Sequence, residues 1–197
     1  MSALLATLLA VAAELDSSGE RFAVVGGLAV SARAEPRLTR DADIAVAVND
    51  DAHAEALVQR LQTRGFTLIA AVEQQATGRL ATARLARGPA DGLVTDLLFA
   101  SCGIEPEVAA GAERLTILPG VVLPVASVGH LLVMKLLARD DRQRPLDADD
   151  LEALRAIATE TDWKVAGEAA ALVMDRGAAR GRDLPRLLTL LRTQGAY

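Results

Sequence analysis

Along the first two-thirds of the chain, short apolar blocks alternate with stretches whose apolar residues recur at helical spacing; beyond them the helical pattern continues alone. The opening stretch from Ser2 to Leu15 is rich in Ala and Leu, with Leu near helical spacing, and predicts a helix stopped by Asp16-Ser17-Ser18-Gly19. Phe22-Ala23-Val24-Val25 predicts a short buried strand ended by Gly26-Gly27. Leu28 to Ala34 predicts one or two helical turns before the polar Glu35-Pro36-Arg37 loop. From Thr39 to Val48 the chain returns to strand, with Ile44, Val46 and Val48 alternating on one side. Asp41 and Asp43 stand at its polar beginning.

Asn49-Asp50-Asp51 predicts the cap of a helix from Ala52 to Thr63, closed by Gly65. Strands are expected at Phe66 to Val72, Arg79 to Ala86 and Leu93 to Phe99. The turn Gly88-Pro89-Ala90-Asp91-Gly92 joins the last two as an antiparallel pair. Arg114 to Leu118 and Val121 to Val125 predict a hairpin around Pro119-Gly120. Further helices are expected from Val128 to Arg139 behind Ser127, from Asp147 to Ile157, from Trp163 to Asp175 behind Asp162, and from Asp183 with Pro185 in its first turn. The expected organisation is a mixed α/β core over residues 1–126 and a helical region over 127–197 packed on it.

Composition narrows the function. Of 197 residues, 51% are hydrophobic and 24% charged, too apolar and too mixed in charge for a disordered chain. Aromatic residues make up only 3%, which argues against a stacking platform for single-stranded nucleic acid. The single cysteine, Cys102, fits a reducing compartment, and with two distant histidines, His53 and His130, soft-metal sites are disfavoured. A metal here would be a hard ion held by carboxylates. Ala3 to Ala13 lacks a positively charged leader, and Ile117 to Ala138 is interrupted by Pro119, Gly120, Pro124, Gly129, His130 and Lys135. A cytoplasmic protein without a membrane segment is expected.

Three features carry candidate chemistry. The double glycine after a strand allows close approach of a bulky group, and a helix starting there would favour a phosphate; taken alone, a tight strand-to-helix turn is the simpler reading. Asp41-Ala42-Asp43 places two carboxylates on one face of a strand, where a divalent cation relieves their repulsion; a solvated strand rim is the plain alternative. Asp96 interrupts the apolar run Leu93 to Phe99 and needs a partner or solvent.

In this order, Val25-Gly26-Gly27, thirteen intervening residues, Asp41-Ala42-Asp43 and then Asp96 resemble the signature of the polymerase-beta-like nucleotidyltransferase superfamily. Arg37-Leu38-Thr39-Arg40-Asp41 resembles the approach to the acidic pair in small bacterial members. Lys135-Leu136-Leu137-Ala138-Arg139 and Asp147-Ala148-Asp149-Asp150-Leu151 are similar to elements of the AbiEii/AbiGii toxin group. The resemblance implies a nucleotidyltransferase fold of the α/β (α+β) class, with a mixed, mostly antiparallel sheet flanked by helices. It implies transfer of a nucleoside monophosphate from a nucleoside triphosphate to an RNA, tRNA among them, or to a protein. Asp41, Asp43 and Asp96 would hold magnesium, two ions being expected, with Asp96 sharing a metal or taking the acceptor proton. Gly26 and Gly27 would admit the triphosphate, Lys135 would neutralise it, and Ser31, Arg37, Thr39, Asp147 and Asp150 complete the expected nucleotide site. A toxin-like role in a toxin–antitoxin or phage-defence pair would add an antitoxin protein as partner.

The departures point to a rival. Leu28 stands where many superfamily members keep a small or hydroxyl residue, and Lys135, Asp147 and Asp150 have ordinary roles open to them at helix ends. A nucleotidyltransferase-fold module that binds nucleotide, RNA or protein without catalysis is therefore the alternative, with a metal-dependent phosphohydrolase behind it. Charge adds one further feature: residues 163–197 carry a net +3, while the whole chain carries −5. A basic tail beside an acidic centre suits an RNA acceptor, and a solvated helical face accounts for it as well.

Overall fold

The computed structural model of the chain describes residues 3–34, 39, 41–75, 77–87, 94–118, 120–140 and 146–195. Helix α1 (Ala3–Ser17) leads into strand β1 (Phe22–Val25), helix α2 (Gly26–Arg33) and strand β2 (Ala42–Val46). Helix α3 (Asp51–Thr63) follows, then strands β3 (Thr67–Glu73), β4 (Leu80–Ala86) and β5 (Val94–Leu98). Helix α4 (Glu105–Ala110) precedes the hairpin of β6 (Glu113–Leu118) and β7 (Val121–Val125). Helices α5 (Val128–Ala138), α6 (Leu146–Ile157), α7 (Glu160–Asp175) and α8 (Leu184–Gln194) come last.

The strands form one sheet in the order β3-β4-β5-β2-β1-β7-β6. Neighbours run antiparallel except β1 with β7 and β2 with β5, so the mixed, mostly antiparallel sheet expected from the sequence is present. All four residues of β1 are buried, and in β2 Ala45 is buried as fully as its neighbours Ile44 and Val46. The alternation expected along this strand is therefore lost: a central strand covered on both faces buries successive residues. β2 is also shorter than the predicted Thr39 to Val48.

Three elements differ from expectation for local reasons. Helix α2 begins at Gly26 rather than Leu28, because Gly26, at φ +65°, turns the chain directly out of β1. Helix α7 begins before Trp163: Thr159 accepts from the backbone N–H of Asp162, whose carboxylate accepts from the N–H of Thr159. Asp162 thus closes a capping box from inside the helix instead of capping it. Helix α4 was not expected at all, although Pro106 in its first turn and Gly111 after its end are ordinary start and stop features.

One continuous core runs through these layers, from Leu8 and Leu15 of α1 through Ile44, Leu85 and Leu97 of the sheet to Leu131 and Leu154 of the later helices. Gly129 lets α5 and α7 cross closely, since a Cβ there would lie 2.5 Å from the Asp162 carbonyl and 2.8 Å from Val165 Cβ. Among the described residues no helix is long and apolar enough to cross a membrane.

Candidate active site

Strand register sets one wall of a cleft. β1 and β2 pair Val25 with Asp43, β2 and β5 pair Asp43 with Asp96, and β4 and β5 pair Arg84 with Asp96. Paired positions share a face, so Asp43, Asp96 and Arg84 form a row across three strands. Both oxygens of Asp96 accept from Arg84, Oδ1 from Nε at 2.8 Å and Oδ2 from Nη2 at 2.7 Å. This bidentate bond raises the guanidinium's pKa above its ordinary value, with further contributions from the charges of Asp96, Asp41 and Asp43. The buried carboxylate that the sequence left in need of a partner has Arg84.

Gly26 completes this wall. A Cβ at Gly26 would fall 1.9 Å from Asp43 Oδ2, so the carboxylate lies against the backbone of the strand-to-helix turn. Gly26, expected to admit a triphosphate, lines the cleft and has the Asp43 carboxylate packed against it. The residue before α2, Val25, makes no side-chain cap bond, and the helix begins beside that carboxylate. Gly27 is buried in this turn, and Ser31 lies one turn further on, its hydroxyl donating to the Gly27 carbonyl at 3.0 Å. Asp41 is exposed just before β2, where its carbonyl accepts from the Thr39 hydroxyl at 3.1 Å. Arg37 lies outside the described residues.

Helices form the opposite wall. Lys135 of α5 is buried and donates to Asp147 Oδ1 and Asp150 Oδ2 of α6, both at 2.7 Å. Asp147 and Asp150 therefore hold Lys135 from behind and tie α6 to α5; neither lines the cleft. The turn after α7 is fixed by Arg176, whose guanidinium donates to both oxygens of Glu107 at 2.9 and 2.7 Å. Beyond it Arg180, at φ +53°, donates from Nη2 to the Ser101 carbonyl at 2.8 Å.

Between these walls lies an open cleft of about 210 Å³. Gly26, Asp43, Asp96 and Lys135 line it together, joined by Thr82, Ser101, Cys102, Met134 and Arg180 among others. Gly27, Ser31, Thr39, Asp41, Asp147 and Asp150 are not among its lining residues. Burial pushes the Cys102 thiol well up, which leaves no reactive thiolate. His130 is buried with Nδ1 2.9 Å from the Ser127 hydroxyl, away from the cleft.

Thr82, Arg84, Ser101 and Arg180 escaped the sequence reading. Arg84 had a usable signal: a hairpin symmetric about position 90 pairs residue 84 with residue 96. Arg180 had none, because only tertiary packing brings the turn after α7 to Ser101.

The chemistry of the remaining donors fits a hard divalent ion. Magnesium is commonly held by one or two carboxylates and by substrate phosphates, and Asp43 with Asp41 at the rim offers such a pair. Among the described residues no three His, Cys, Asp or Glu side chains form a group that could hold a metal, and Arg84 engages both oxygens of Asp96. The expected sharing of Asp96 between metals thus faces a competing cation.

A protein-family model described as nucleotidyl transferase AbiEii toxin, type IV toxin–antitoxin system, matches residues 7–193. The chain belongs to this AbiEii family. It is accordingly a nucleotidyltransferase of toxin type. Solved structures similar to this AbiEii chain include MenT4, a nucleotidyltransferase toxin of Mycobacterium tuberculosis H37Rv, at TM-score 0.54 and 17% identity over 94% of this chain and 70% of that one. An antigenic nucleotidyltransferase-like protein from Paracoccidioides brasiliensis matches at TM-score 0.53 and 20% identity, over 94% and 92% of the two chains. The antibiotic-resistance factor ANT(2'')-Ia matches at TM-score 0.50 and 18% identity, over 98% and 91%. These likenesses establish the nucleotidyltransferase fold. No curated protein sequence matches the chain.

Proposed function

We propose that this AbiEii-family chain is a magnesium-dependent enzyme that transfers a nucleoside monophosphate from a nucleoside triphosphate to an RNA acceptor, tRNA included. In this reading it acts in the cytoplasm as the toxin of a toxin–antitoxin or phage-defence pair, restrained by an antitoxin protein. The observation that supports the transfer is the meeting of Gly26, Asp43, Asp96 and Lys135 in one cleft, although they lie far apart in the chain.

Asp43, with Asp41 at the rim, would hold the ion. Bound magnesium neutralises the triphosphate and polarises the α-phosphate. The N-terminus of α2 favours phosphate oxygens beside Asp43. An acceptor hydroxyl attacks the α-phosphorus, the bond to the bridging oxygen breaks, and pyrophosphate leaves. Arg84 fixes the orientation of Asp96, which accepts the proton of the attacking hydroxyl. Lys135 stands on the opposite wall with Asp147 and Asp150 behind it. Rate enhancement then comes mainly from positioning and fixed charge.

One observation favours the non-catalytic alternative: Asp96 and Lys135 are both already engaged in ion pairs. An α-labelled triphosphate with magnesium and total cellular RNA decides between them. The expected result is label in RNA, lost in Asp43→Ala at an unchanged unfolding midpoint. Labelled protein would change the acceptor, released monophosphate without labelled acceptor would favour a phosphohydrolase, and binding without turnover would favour the non-catalytic module.

A further inference from the structure

Two cations line the cleft among the described residues, Lys135 and Arg180. Lys135 faces two carboxylates at 2.7 Å, so its charge is more than matched within the fold. Arg180 makes one hydrogen bond, to the uncharged carbonyl of Ser101, and its other donors have no partner among the described residues. Its side chain is exposed, yet its backbone sits at φ +53°, the left-handed region that residues with a Cβ rarely adopt. A second cavity shares Thr82, Ser101 and Arg180 with the cleft and runs on past Glu73 and Gln74. Arg180 therefore borders both cavities, and it lines the cleft together with Asp43 and Asp96.

A triphosphate brought against those carboxylates needs positive charge from the protein as well as from a metal. Lys135 is balanced by Asp147 and Asp150, and Arg84 by Asp96, which leaves Arg180 as the unbalanced cation of the cleft lining among the described residues. Its planar fork suits two phosphate oxygens at once, with the Ser101 carbonyl steadying the remaining edge. We infer that Arg180, on the turn between α7 and α8, binds the phosphate chain of the nucleoside triphosphate. This rests on the nucleotidyl-transfer reading, and it gives the last helices a direct part in the site.

The test measures equilibrium binding of α,β-methylene nucleoside triphosphates, all four bases with magnesium, to the wild type and to Arg180→Ala, Arg180→Gly and Arg180→Lys. Affinity for the analogue that binds should fall at least about tenfold in Arg180→Ala and Arg180→Gly, with part retained in Arg180→Lys. In the absence of ligand, Arg180→Gly should unfold at a higher temperature than Arg180→Ala, because glycine accepts a positive φ without steric conflict. Loss of affinity in the more stable of the two variants separates binding from support of the turn. Wild-type affinity in both variants, or affinity restored in Arg180→Gly, would overturn the inference and leave the nucleotidyl-transfer reading standing. A wild-type protein that binds none of the four analogues would overturn both.

Discussion

On the sheet side of the cleft, Asp43, Asp96 and Arg84 are placed by backbone pairing between adjacent strands. On the helical side, Lys135 is placed by carboxylates of the next helix, and Arg180 by a carbonyl 79 residues earlier in the chain. The sheet wall inherits the rigidity of a ladder whose hydrogen bonds are shared among many residues. The helical wall depends on a few individual contacts. The difference predicts how each wall fails: substitution on the sheet should remove chemistry and spare the fold, and substitution on the helices should loosen the fold first.

The largest expected effect is on the sheet side. Asp43→Ala should lower transfer by about a thousandfold or more with the unfolding midpoint unchanged, measured by label incorporation and thermal unfolding. Retained activity would remove Asp43 from the metal site. On the helical side, Lys135→Met should leave Asp147 and Asp150 buried without their cation and cost about 3–5 kcal/mol in denaturant unfolding. If it lost only activity, the contrast between the walls would break. Gly26→Ala tests where they differ least, because it strains the backbone and drives a Cβ into Asp43. About 1–3 kcal/mol of stability should go together with activity.

Smaller changes sharpen the comparison. Arg84→Met should cost about 1–3 kcal/mol, since Asp96, at 12% side-chain exposure, loses its partner while Arg84 itself is 45% exposed. It should also tighten binding of a divalent probe such as Mn²⁺ in a calorimetric titration, by releasing Asp96 to join Asp43. Burial lowers the pKa of His130 below its ordinary 6.5, while Glu107 opposes the shift. The unfolded chain then binds more protons than the native one, so stability should fall as pH drops from about 6.5 toward the native value. His130→Asn should flatten the unfolding midpoint across that window.

The elements were legible wherever a local rule sufficed. Ser127, Asp50 and Asp183 each cap the helix expected behind them, and the two hairpins follow from their turn residues. The acidic half of the site was legible for the same reason: Asp43 and Asp96 interrupt apolar runs, and a charge in such a strand must face something. What the charge faces was harder to read. Nothing near Asp96 in the chain names Arg84 until the hairpin register is drawn, and nothing near Lys135 shows that Asp147 and Asp150 approach it from behind rather than facing a nucleotide. Nor does the sequence near Gly26 show that a side chain from the neighbouring strand, Asp43, packs against its Cα.

Asp43 and Asp96 meet through a parallel pairing, and this makes the cleft's acid content a matter of whole steps. A slip of β5 by one residue could bring Leu97 beside Asp43 and would then drive Asp96 to the other face beside buried Ala42. No intermediate placement exists, because side chains alternate faces at every residue. A nascent chain that pairs these strands wrongly gains no partly working site and incurs the cost of a buried charge. The step that completes the fold is thus also the step that assembles the cleft.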